Sequence, residues 1–169
     1  MIILGIDPAI RCTGYGVIDM TSADKASIID CGVIRNSPKL THCECLLRLA
    51  GGIRELVSTF KPQVASIEQP FFSKNVNTLI ILGMARGSIL TVLAENNVPV
   101  YAYSPKNAKR AAVGNGSASK EQVAAMMAAS FRLNVADIPL DSTDALSLAL
   151  CHGQVAIRPE LFMLLPKPL

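Results

Sequence analysis

Apolar and polar positions follow two different periods along this chain, and the switches between them mark its elements. Residues 2–7, IILGID, are a short apolar run that ends in an acid and is stopped by Pro8, as a strand ends at its carboxyl edge. Residues 14–20 and 26–35 read as two more strands of an antiparallel start. Over residues 42–60, Leu46, Leu49, Ile53, Leu56 and Val57 recur at helical spacing, and Lys61 with Pro62 closes the helix. Residues 64–68 form a fourth strand that also ends in an acid, with Pro70 just beyond. Residues 75–96 predict a long helix, apolar enough to be expected in the core. A fifth strand over 98–103 is followed by a polar segment from Ser104. Helices over 119–133 and 141–154 complete the chain, with Ser119 and Asp141 as expected N-caps. Three strands, then helix, strand, helix, strand and further helices predict an α/β fold, a five-stranded mixed sheet with helices on its faces.

The 169 residues suit one domain with a substantial core, and half of them are hydrophobic against 17% charged, the opposite of a disordered chain. We expect the domain over residues 1–157 and a C-terminal tail, 158–169, to which the sequence assigns no role. The opening apolar run meets Asp7 too soon for a secretory signal. The longest apolar stretch, residues 79–94, is short for a membrane span and carries Arg86. Five cysteines without framework spacing are expected as reduced thiols in the cytoplasm. His42, Cys43 and Cys45 suggest a zinc site only weakly, because no second pair completes the ligands.

Net charge is +3, but its distribution is uneven. Residues 69–120 hold six bases (Lys74, Arg86, Lys106, Lys109, Arg110 and Lys120) against one acid, Glu95. Such a block fits phosphate contacts, and a solvated face is the plain alternative.

Four acids stand where the chain changes structure. Asp7 and Glu68 end apolar strands, and if those strands run side by side the two carboxylates meet. Asp141 and Asp144, three apart, share the first turn of the last helix. Each has a bland reading: a turn aspartate before proline, a strand-end glutamate, acids favoured at a helix N-terminus. Together they are a cluster that cannot stay ionised without positive charge, which argues for divalent cations. After Glu68 the segment QPFFSKN offers Phe71, Phe72 and Lys74 for unpaired bases and phosphate, one aromatic stacking and one buried. KNAKRAAVGNGSASK combines bases with glycines that allow close backbone approach to phosphate.

These segments, in the order GIDPAIRCTGYGVI, SIEQPFFSKN, LGMARG, Tyr103-Ser104-Pro105, VGNGSASKEQV and DSTDALSLALCH, resemble the RuvC family of Holliday-junction resolvases. The resemblance covers nearly the whole chain and implies a ribonuclease H-like fold. It implies Asp7, Glu68, Asp141 and Asp144 as a tetrad holding two magnesium ions, with manganese as a substitute. It makes Phe71 the base-stacking aromatic near the crossover, and Lys109 and Lys120 the lysines that contact the DNA backbone. A homodimer making paired symmetric nicks in four-way junction DNA, and cooperation with a RuvA–RuvB branch-migration complex, are further implications. Ala9 stands where the family's GIDPG has glycine, Pro70 precedes the aromatic, and the tail PELFMLLPKPL matches no motif. His152 lies two helical turns beyond Asp144 and reads as structural. The competing readings are another ribonuclease H-like nuclease, such as the YqgF type that processes RNA, and a junction-binding module without catalysis. A sugar kinase or actin-like ATPase would need a far longer chain.

Overall fold

A computed structural model describes residues 1–22, 25–70, 75–131, 134, 138–158 and 165–169. Strands β1 (Ile2–Asp7), β2 (Cys12–Ser22) and β3 (Lys25–Arg35) form an antiparallel meander. Helix α1 (His42–Phe60) then crosses to β4 (Val64–Glu68), which lies parallel to β1. Helix α2 (Val76–Glu95) leads to β5 (Val100–Tyr103), parallel to β4. Helices α3 (Pro105–Val113), α4 (Lys120–Phe131) and α5 (Leu140–Ile157) follow. The sheet order is β3-β2-β1-β4-β5, the five-stranded mixed sheet expected.

Two apolar cores lie on the two faces of this sheet. Leu4, Ile6, Val17 and Ile67 meet Leu49, Ile53, Ile89 and Leu93 of α1 and α2. Ile3, Ile18 and Met20 meet Val123 and Met127 of α4 and Leu146 and Leu150 of α5. Alternation along β1 sends Ile3 one way and Leu4 the other, as the pleat requires.

Local signals explain the helix ends. Thr41 and Glu44 form a capping box, the Thr41 Oγ1 accepting from the Glu44 N–H while Glu44 Oε2 accepts from the Thr41 N–H. Lys61 closes α1 in a left-handed conformation, φ 47°, and Pro62 prevents continuation. Ser119 caps α4, accepting from the Gln122 N–H, as expected.

Three expectations change. The polar segment from Ser104 is helix α3, capped by Ser104, opened by Pro105 and closed by Gly114 at φ 74°. Its apolar face is narrow and made of small residues, Ala108 fully buried with Ala111, Ala112 and Val113 packed beside it, between Lys106, Lys109 and Arg110. Asp141 is not an N-cap: α5 starts at Leu140 after Pro139, with no side-chain cap, and Asp141 lies inside the first turn. Helix α2 is not enclosed. It buries Ala85, Ile89, Val92 and Leu93, while Val76, at 66%, and Ile80, at 56%, are exposed.

Candidate active site

Parallel pairing of β1 with β4 sets Ile6 opposite Ile67, so Asp7 and Glu68 leave the sheet side by side at the carboxyl ends of adjacent strands. Their side chains are hydrogen-bonded to each other. One carboxyl of such a pair must hold a proton. Burial, the Glu68 contact and charge, and the charge of Asp144 push Asp7 up to about 8, with Lys120 opposing.

Glycines bring the second pair of acids to this point. A Cβ on Gly14 would lie 1.8 Å from the carbonyl oxygen of Asp141, and one on Gly5 would lie 1.9 Å from that of Ala145. Helix α5 can therefore rest on bare backbone of β1 and β2, with its first turn at the end of β1 where Asp7 emerges. Asp144 is mostly buried and Asp141 is half-exposed.

Lys120 joins the two pairs. Its Nζ is 3.0 Å from Asp144 Oδ2 and 3.9 Å from Asp141 Oδ1. Burial alone would lower its pKa, but the bond and charge of Asp144, with the charges of Asp7 and Asp141, raise it. Lys109 Nζ donates to the Ala118 carbonyl at 2.8 Å, two residues before Lys120. Asp7, Glu68, Asp144, Lys109 and Lys120 thus line one cleft of about 270 Å³, together with Ala108 and Leu148. Among the described residues, no three acid, histidine or cysteine side chains are gathered closely enough to hold one ion as they stand.

Two neighbours of the four acids carried no assignment from the sequence. The Arg86 guanidinium donates to the Glu68 carbonyl and lines a second hollow with Asp7, Pro8 and Gln69. Burial lowers its pKa and Glu68 opposes the shift. A charge in the middle of an apolar run was the available signal, because a buried arginine needs a partner. Cys12 Sγ–H donates to Asp141 Oδ2 at 3.2 Å, and nothing in the sequence marked it. Burial and Asp141 raise the Cys12 thiol pKa.

Other expectations separate cleanly. His152 is buried beneath the site, its Nδ1 2.9 Å from the Tyr103 hydroxyl and its ring against Tyr101, and burial holds its pKa down to about 4. That agrees with a structural role. Cys43 is exposed and Cys45 buried, so the weak zinc motif does not assemble. Phe71, Phe72 and Lys74 lie outside the described residues.

The family described as crossover junction endodeoxyribonuclease RuvC matches residues 3–152. A crossover junction endodeoxyribonuclease RuvC of Roseiflexus sp. (strain RS-1) is 40% identical over 153 residues, covering 90% of each chain. The Thermus thermophilus RuvC solved in complex with Holliday junction substrate superposes with a TM-score of 0.88 at 34% identity, over 100% of this chain and 99% of that one. The yeast mitochondrial Holliday junction resolvase Ydc2 shares the fold, with a TM-score of 0.66 at 15% identity over 90% of this chain and 77% of its own.

Proposed function

The chain belongs to the RuvC family of crossover junction endodeoxyribonucleases, and from that premise we propose that it resolves four-way DNA junctions by hydrolysing paired phosphodiesters, with Asp7, Glu68, Asp141 and Asp144 as ligands for magnesium. The observation that carries the site is Asp7. A buried carboxyl pressed against Glu68 and facing Asp144 is short of positive charge, and one lysine does not supply enough to keep it ionised. The donor set fits hard divalent cations, since all four groups are carboxylates. When bound, two such ions supply an activated water and neutralise charge at the scissile phosphate.

The remaining work belongs to the chain's own residues. Asp7 and Glu68 fix one side of the site through strand pairing, and Asp141 and Asp144 fix the other through α5. Arg86 anchors the end of β4 by donating to the Glu68 carbonyl, beside Asp7. Lys109 and Lys120 place ammonium groups on the cleft wall, where a DNA phosphate would enter. Phe71 we assign to stacking on unpaired bases at the crossover, and Phe72 and Lys74 to further DNA contacts. Manganese fits the same oxygen donors. Residues 1–157 carry the nuclease and 158–169 form the tail, whose Leu169 N–H donates to Val100 of the edge strand at 2.9 Å.

The working unit is a homodimer, since a two-fold enzyme matches a two-fold junction. RuvA and RuvB are the expected partners in branch migration, and the cytoplasm the expected compartment. Cleavage of a mobile four-way junction, beside a linear duplex of the same sequence, with and without magnesium, tests the reading. Paired symmetric nicks confined to the junction and to magnesium are expected. Tight junction binding with no cleavage under any divalent cation would leave only a binding module.

A further inference from the structure

Lys120 is the first residue of α4, where the helix dipole disfavours a cation. It is held there nonetheless. Ser119 caps the helix, and Lys109 grips the Ala118 carbonyl, so the turn that delivers Lys120 is fixed from both sides. What offsets the unfavourable position is the acid cluster: Asp144 at 3.0 Å, Asp141 at 3.9 Å, and the charge of Asp7. Among the described residues no three acid, histidine or cysteine side chains are gathered closely enough to hold one ion, while Lys120 pairs with Asp144 and Asp141 and feels the charge of Asp7.

We propose that Lys120 is the resident counter-cation of the metal-free site and competes with divalent cations for Asp144 and Asp141. Cation binding then releases its ammonium toward the phosphate, which couples loading of the site to grip on DNA. The inference rests on the reading of the four acids as cation ligands. It assigns Lys120 a role before any DNA is present, which a plain phosphate contact would lack.

Magnesium binding by calorimetry, on the full chain without DNA, tests it. Lys120→Gln should bind magnesium about fivefold more tightly than the unaltered protein, the scale of losing one half-exposed ion pair. It should also melt at a lower temperature in chelator, with the gap closing in magnesium. Arg110→Gln removes the same charge from an exposed position on α3 and should leave the affinity nearly unchanged. Equal tightening in both variants would make the effect diffuse electrostatics and overturn the proposal, as would unchanged or weaker binding in Lys120→Gln. Should Lys120→Gln fail to fold, the Lys120 Nζ resonance of the unaltered protein decides. It should move when magnesium is added without DNA, and a resonance that stays in place overturns the proposal. Asp144→Asn separates this from the underlying assignment. If that variant keeps full magnesium affinity, the reading of the acids fails; if it loses affinity while Lys120→Gln gains none, only the counter-cation role fails.

Discussion

At Asp7 two demands conflict: the residue ends a strand whose four middle members are buried, and its carboxyl faces two more acids. In the metal-free protein it holds its proton up to about 8, against an ordinary value of 3.8. Between those values the unfolded chain has already released the proton that the folded chain keeps. Stability from this group is therefore full below about pH 4 and is lost as pH rises to about 8. We expect the melting temperature in chelator to fall across that window, and magnesium to remove most of the slope. Asp7→Asn should flatten the slope without metal. It should also abolish cleavage while leaving junction binding largely intact, because it removes a proposed cation ligand and no basic contact. Melting curves and junction cleavage on one preparation check both; a variant that still cuts at the normal rate would exclude Asp7 from the tetrad. Cys12 touches the neighbouring acid, since its thiol donates to Asp141, which sits on a helix turn without a side-chain cap. Cys12→Val should raise the magnesium needed for half-maximal cleavage, whereas Cys12→Ser, which keeps a donor, should not. Equal behaviour of the two variants would show that the hydrogen bond orients nothing.

Among the elements, α5 decides the geometry of the site, because two of the four acids ride on it and its seat is bare backbone. Gly14→Ala would set a methyl carbon 1.8 Å from the Asp141 carbonyl oxygen, so the helix must move. The cost expected for such overpacking is about 1–3 kcal/mol. Cleavage should fall further than that loss explains, because Asp141 moves with the helix; denaturant unfolding beside single-turnover cleavage measures both. Full activity in a destabilised variant would show that the acids tolerate the shift. This seat explains what the sequence revealed and what it hid. β1, α1 and β4 were legible to the residue because apolar runs end there against Pro8, Lys61–Pro62 and Pro70. The convergence of Asp7 and Glu68 followed from two strands ending in acids. Helix α3 was hidden because its packed face is mostly alanine, Ala108, Ala111 and Ala112 before Val113, a weak apolar signal among Lys106, Lys109 and Arg110. Asp141 was misplaced as a cap because acids suit any position of a first turn. Arg86 and Cys12 meet their partners across 18 and 129 residues, a pairing that local pattern does not contain.

For the whole molecule the unexplained feature is the outer face of α2. A helix apolar all round belongs inside a protein, yet this one fully buries only Ala85, Ile89, Val92 and Leu93, with Ile81 and Leu90 partly buried against the same core. Val76, Ile80 and Met84, spaced four apart, leave an apolar stripe in solvent, and Gly83 and Gly87 beside it have open space where a Cβ would sit. Small residues beside a stripe let another helix approach closely, so the face suits a second copy of α2 across a two-fold axis. The consequence reaches the chemistry, because paired nicks require two sites on one junction. Ile80→Glu with Met84→Glu should convert the dimer to monomer in sedimentation at micromolar concentration while leaving the fold intact, since neither side chain is in the core. The monomer keeps all four acids, so it should nick junctions singly and slowly, and the products should no longer be symmetric pairs. A variant that stays dimeric would move the interface off this helix. A true monomer that still cuts in concert would break the link between two-fold symmetry and paired cleavage.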